Sequence, residues 1–155
     1  MDKPHHQPRR QRRLDRIFDS APAYFLTLCT SGRARVLDNA ETDANVRGFV
    51  SESVERYGVH VDCHVLMPDH VHLIVTVSPA STTTIGEWVK AFKAMVARRR
   101  FKWQAGFFDH VLRSDESRSE KWEYIRMNPV RAGLVVDPDD WPYAQRFNRF
   151  DGSEL

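Results

Sequence analysis

No run of apolar residues in this 155-residue chain approaches the ~20 positions a membrane-crossing helix requires. Cysteine is scarce. Cys29 and Cys63 are the only two, and both lie in apolar, strand-like stretches. Nothing supports a disulfide or a thiolate metal site, so buried free thiols in a reducing compartment are expected. The N-terminus carries Lys3, Arg9, Arg10, Arg12, Arg13 and Arg16, but no apolar core follows them. A secretory signal is therefore not expected. There is no internal repeat. What is present is ordinary for a soluble domain: 41% of the residues are hydrophobic, and the length suffices for one proper core.

Net charge is only +2, yet it is unevenly spread. Residues 84–113 hold seven Lys or Arg (Lys90, Lys93, Arg98, Arg99, Arg100, Lys102, Arg113) against Glu87 and Asp109, a local balance of +5. The first 32 residues sum to +3 and residues 129–155 to −2. Two basic segments of this kind suit a polyanion surface. A solvated helix face and a disordered tail would give the same composition. Lys90, Lys93, Arg98, Arg99 and Arg113 are candidate phosphate contacts, and Arg12 and Arg13 could follow a groove or stem.

Periodicity divides the chain into a basic flexible arm (residues 1–20), one domain (21–145) and a tail (146–155). A first strand is expected at residues 24–30, rich in β-formers. Apolar positions three and four apart predict a helix over 42–57, ended by Gly58. Strands follow at 59–66 and 70–77, joined by a short turn at Met67-Pro68-Asp69. A stripe of Ile85, Trp88, Val89, Phe92, Met95 and Val96 predicts a second helix to about Arg100, with Trp88 and Phe92 in the core and Lys90 and Lys93 outward. A fourth strand at 107–113 and a third helix through Met127, capped by Ser114 or Asp115, complete the order. Trp141-Pro142-Tyr143 should pack back on the body. The order β-α-β-β-α-β plus a helix is the ferredoxin-like arrangement, an α+β fold with an antiparallel sheet and helices on one face. The fold alone decides no function.

The chemistry concentrates in Asp69-His70-Val71-His72, set within an apolar stretch. Residues two apart on a strand share a face, so His70 and His72 project side by side with Ile74 and Thr76. Val71, Leu73, Val75 and Val77 should face the core. Paired imidazoles are the start of a metal site; the plain alternative is two half-buried sheet histidines. Tyr124 and Asn128 lie four apart on the third helix, although Pro129 pushes Asn128 to the helix end. If that face meets the histidines, His70, His72 and Asn128 would supply three ligands and leave positions open for phosphate oxygens. A phenol beside such a cation is favoured as phenolate and could attack phosphorus. His110 beside Asp109 could mark the edge of the same site, or simply pack in a strand.

At these residues a resemblance becomes specific. Met67-Pro68-Asp69-His70-Val71-His72-Leu73 resembles the His-hydrophobic-His signature of the HUH single-strand DNA endonucleases. Tyr124-Ile125 with Asn128-Pro129-Val130-Arg131-Ala132-Gly133-Leu134-Val135 resembles the catalytic-tyrosine helix of the single-tyrosine transposases. Trp103-Gln104 and Phe107-Phe108-Asp109-His110-Val111-Leu112-Arg113 are similar to a block of the REP-associated tyrosine transposases. The likeness covers roughly residues 20–145. It implies a ferredoxin-like fold and cleavage of single-stranded DNA at REP-type hairpins. It further implies a 5′-phosphotyrosine at Tyr124, a free 3′-hydroxyl, and Mg²⁺ or Mn²⁺ on His70, His72 and Asn128. Mn²⁺ should bind more tightly, since imidazole and amide are soft donors for Mg²⁺. Members often carry Asn where this chain has Asp69, and the extra carboxylate could alter metal affinity or base contacts.

Two other functions stay open. One is a non-catalytic protein that binds or represses a DNA hairpin, which the complete catalytic set opposes. The other is an RNA binder, which would want aromatic residues where the sheet carries histidines. Expected partners are a single-stranded DNA hairpin, no membrane, and either no second copy or one in a homodimer. The expected location is the bacterial cytoplasm, with the nucleoid.

Overall fold

The computed structural model describes residues 23–113 and 115–147. The arm at 1–20, with Arg12 and Arg13, the cap residue Ser114, and residues 148–155 of the tail lie outside the described residues.

Among the described residues five strands form one antiparallel sheet in the order β4-β1-β3-β2-β5: β1 Ala23–Cys29, β2 Val59–Leu66, β3 His70–Val77, β4 Phe108–Leu112 and β5 Ala144–Arg146. The first four occupy the positions of the ferredoxin-like arrangement. β5 was not expected; at three residues it is too short to show a period, and it is held by pairing with β2.

α1 (Ala40–Tyr57) and α2 (Ile85–Ala97) cover one face of the sheet. α1 starts before Thr42 because Asn39 accepts a hydrogen bond from the Thr42 amide at 2.9 Å and caps it. Gly58 ends it in a left-handed conformation, φ 65°, and a Cβ there would lie 2.9 Å from Ser81. α2 opens with a capping box between Thr84 and Glu87. It stops at Ala97, short of Arg100, because Arg98 and Arg99 turn into left-handed geometry (φ 42° and 64°). Leu26, Leu28, Val71, Leu73, Val75, Trp88 and Phe92 fill this layer. Trp88 and Phe92 are fully buried, as their stripe predicts.

α3 (Asp115–Arg126) lies across the other face, and the chain restarts at Met127 into the short α4 (Asn128–Arg131). Ile125 of α3 and Trp141 enter a second core with Cys63, Val65, Met67 and Ile74. Trp141 donates its indole N–H to the Leu66 carbonyl at 2.9 Å, so the 141–143 segment does pack back. Both cysteines are buried and free. Among the described residues no helix is long and apolar enough to cross a membrane.

Candidate active site

β3 presents His70 and His72 on the face that α3 crosses, while Val71, Leu73 and Val75 point into the first core. The two imidazole centroids stand 4.7 Å apart with planes at 76°. Pairing places Thr27 opposite His72 and Cys29 opposite His70. Alternation therefore brings Phe25 and Thr27 of β1 to the histidine face. The Thr27 hydroxyl lies 2.9 Å from Nδ1 of His72, and the Phe25 ring stacks on His72 at 5.2 Å.

The partners fix what each imidazole can do. Burial, then the nearby His70, Lys121, Arg131 and Arg33, lowers the pKa of His72 to about 3. His72 thus keeps a lone pair at any ordinary pH. His70 Nδ1 lies 2.8 Å from Oδ1 of Asp69, whose other oxygen accepts from Arg33 Nε at 2.9 Å. Burial raises the Asp69 pKa, but the hydrogen bonds from Arg33 and His70 outweigh it and leave the carboxyl below its ordinary value. With Nδ1 of each ring engaged, both Nε2 atoms remain for a cation, the arrangement usual for metal-binding histidines. Among the described residues no third His, Cys, Asp or Glu joins them. Two imidazoles fit part of a divalent site, and any further donor must be an amide, a hydroxyl or a substrate oxygen.

Tyr124 lies near the end of α3, 59% exposed. Lys121, one turn earlier, links it to the histidines. Its ammonium lies 4.7 Å from the Phe25 ring centroid and 5.4 Å from that of Tyr124. The Arg131 guanidinium lies 4.2 Å from the Tyr124 ring centroid. Arg131 also donates to the Asn128 amide oxygen, which is therefore engaged. The links from Tyr124 to His72 run through Lys121 and Phe25, and Asn128 is tied to Arg131.

Other candidate residues separate into groups. Lys90, Arg98, Arg99 and Arg113 are exposed. Lys93 is not the outward residue its position suggests. It is half-buried and donates to the carbonyls of Gln104 and Gly106 at 2.9 and 2.6 Å, holding the loop before β4. Asp109 and His110 do not form one pair at the site edge. His110 lies opposite Phe25 and Asp109 opposite Leu26, so strand alternation turns them to opposite faces. A cleft of about 200 Å³ adjoins Thr27, lined also by Cys29, Gln104, Gly106, Phe107 and Phe108. A larger cavity of about 370 Å³, lined by Trp122, Arg126, Asp139 and Gln145 among others, shares no residue with the histidine pair.

Sequence reasoning missed Phe25, Thr27, Arg33, Lys121 and Arg131 as site residues. Phe25 and Thr27 become visible only through the β1–β3 register. Lys121, three before Tyr124 on α3, had a helical-spacing signal, whereas Arg131 lies on the separate α4 and meets Tyr124 only through the break at Met127.

Comparison with known proteins identifies the family and the fold. The family described as "Transposase IS200 like" matches residues 20–125, well over half of the chain. A candidate REP-associated tyrosine transposase of Haemophilus influenzae is 26% identical over 90% of this chain and 88% of its own. The REP-associated tyrosine transposase of Escherichia coli K12 is 28% identical over 54% of this chain and 52% of its own. A solved REP-associated tyrosine transposase bound to a REP hairpin superposes with a TM-score of 0.66 at 19% identity, covering 93% of this chain and 82% of that one. That likeness is one of fold. The family match, carrying both the histidine pair and Tyr124 within it, makes this chain a member of the IS200-like transposases, enzymes of transposase type.

Proposed function

We propose that this transposase is a metal-dependent single-strand DNA endonuclease and strand transferase acting at REP-type hairpins. Tyr124 is the nucleophile. Its phenolate oxygen attacks a backbone phosphorus, the bond to the 3′-oxygen breaks, and the leaving strand keeps a free 3′-hydroxyl. The 5′-phosphate stays esterified to Tyr124. Attack by a 3′-hydroxyl on that ester reverses the step and rejoins DNA, so no nucleotide cofactor is consumed. Similarity to proteins named for REP elements, one of them solved with a REP hairpin, supports the choice of DNA.

His70 and His72 would hold Mg²⁺ or Mn²⁺ through Nε2, with Asn128 as third ligand once Arg131 releases its amide oxygen. When bound, the ion supplies charge neutralisation at the scissile phosphate. Lys121 and Arg131 stand over the Tyr124 ring and suit the non-bridging phosphate oxygens. Phe108, 67% exposed beside the 200 Å³ cleft, offers a stacking face to an unpaired base. The observation that carries the reading is the single face shared by the histidine pair, Phe25, Lys121 and Tyr124. A hairpin binder that does not cut is the second reading, favoured by the commitment of Asn128 to Arg131.

The experiment is incubation of a REP-type hairpin oligonucleotide, with single-stranded flanks, with the protein and Mn²⁺. A covalent adduct is expected with the wild type and none with Tyr124→Phe, which should still bind the hairpin. An adduct that survives in Tyr124→Phe removes the nucleophile assignment. No adduct with any divalent metal favours the binder.

A further inference from the structure

We propose that Arg33 and Asp69 form a positioning pair that sets His70 in one tautomer, with its Nε2 lone pair free to meet a cation. This rests on the reading of His70 as a ligand given above.

The hydrogen-bond geometry carries most of it. Asp69 divides its two oxygens: Oδ2 accepts from Arg33 Nε at 2.9 Å, and Oδ1 faces His70 Nδ1 at 2.8 Å. A carboxylate paired with a guanidinium is ionised and can only accept. Nδ1 must therefore carry the proton, and a neutral imidazole then has its lone pair on Nε2. Arg33 Nη2 also lies 3.5 Å from Nδ1, but that is a long contact between two donors, and the shorter bond to Asp69 decides the tautomer. An asparagine at position 69 could turn either end of its amide to the ring. Aspartate removes that choice, and Arg33 holds the aspartate.

The backbone gives a second, independent observation. Gly32 and Arg33 are consecutive left-handed residues, φ 62° and 54°. The conformation suits glycine at 32 but is disfavoured for arginine at 33. The Arg33 side chain is 55% exposed, so the ion pair by itself adds little stability. Neither chain geometry nor stability explains an arginine there, whereas the aim of its guanidinium at Asp69 does. The support is rigid. The Thr30 amide donates to the Asp69 carbonyl at 3.0 Å, the Thr30 hydroxyl donates to the Ala34 carbonyl at 2.8 Å, and the Leu37 amide donates to the Pro68 carbonyl at 3.0 Å. The turn after β1 and the turn before β3 are thus stapled together, and Arg33 Nη1 makes a further 3.3 Å contact with Cys29 Sγ.

The test starts on metal-free protein, with ¹⁵N NMR of the His70 ring in buffer alkaline enough to keep imidazole neutral. Wild type should show the Nδ1–H form. Asp69→Ala and Arg33→Gly should each shift His70 toward a mixture containing Nε2–H. Arg33→Gly should keep or raise the melting temperature, because glycine relieves the left-handed residue. Titration with Mn²⁺, followed by EPR of the free ion, should show affinity falling at least about tenfold in both variants, the usual cost of losing a group that orients a ligand. An Nε2–H tautomer in wild type, or a tautomer and affinity unchanged in both variants, overturns the proposal. Mn²⁺ binding that ignores His70→Ala overturns the ligand reading itself and the cation half of this proposal with it. The tautomer result separates that failure from one of the pair.

Discussion

Arg131 grips Tyr124 and Asn128 at once. Its guanidinium carbon lies 4.2 Å from the Tyr124 ring centroid, while Nη2 donates to the Tyr124 carbonyl at 2.5 Å and to the Asn128 amide oxygen. A flat, forked cation can stack and donate together in a way an ammonium cannot. Arg131→Ala should therefore slow adduct formation on a hairpin substrate by about 10–100-fold, the usual cost of a misplaced reacting group. Arg131→Lys should recover little. If Asn128 is a metal ligand, Arg131→Ala should also tighten Mn²⁺ binding, because the amide oxygen is freed. Single-turnover rates with parallel Mn²⁺ titrations check both parts. An unchanged rate would leave Arg131 without a role in chemistry.

Thr27 is the partner that settles His72. Its hydroxyl is 2.9 Å from Nδ1, at a position where the imidazole stays neutral. Thr27→Val keeps the shape and removes the bond, leaving a largely enclosed nitrogen without a partner. The expected loss is about 1–3 kcal/mol of stability. It should appear as a lower urea midpoint with an unchanged slope. A midpoint within error of wild type would mean that water replaces the hydroxyl.

Arg98 and Arg99 occupy left-handed positions where glycine would be preferred, and both are exposed. Their turn is joined to the Arg33 turn by the Ser31 amide, which donates to the Lys102 carbonyl at 2.9 Å. Replacing both with glycine should leave stability unchanged or raise it by up to about 1 kcal/mol. Hairpin binding should weaken at the same time, and the slope of log affinity against log salt should fall by about two. A lower melting temperature with an unchanged salt slope would make these residues helix-end structure, not phosphate contacts.

The sheet and its two packed helices were legible because their periods are strong. The alternation of β3 separates His70 and His72 from Val71, Leu73 and Val75, and the α2 stripe marks Trp88 and Phe92. Local chemistry hid the rest. Nothing in the sequence breaks α2 between Ala97 and Arg100, where neither glycine nor proline stands, but two left-handed arginines end the helix. Lys93 looks outward on a helical wheel, yet its long stem reaches the Gln104 and Gly106 carbonyls. Asp109 and His110 are neighbours in sequence and therefore face opposite ways on a strand. Thr27 and Phe25 meet His72 only through a register that no single strand displays.

The buried Asp43–His64 contact lies on the opposite face of the sheet and predicts how the fold responds to acid. Asp43 Oδ1 is 3.4 Å from His64 Nε2, and Oδ2 accepts from Arg47 Nε at 2.7 Å. Burial pushes the Asp43 pKa up, but the hydrogen bonds from His64 and Arg47 win and hold it below its ordinary value of 3.8. A carboxyl whose folded pKa is depressed adds stability that is complete above its unfolded value and is lost as pH falls through the folded one. The wild type should therefore lose stability as pH drops from about 4 downward, in part through this group. Asp43→Asn should be less stable at neutral pH by about 1.5–3 kcal/mol, the worth of hydrogen bonds to a charged group. The gap between the two proteins should narrow below about pH 4, where aspartate takes up the proton that asparagine never needs. Urea denaturation of both at neutral and at acid pH measures that gap. A difference that stays constant across the range would mean that Asp43 acts by shape and packing and not by charge.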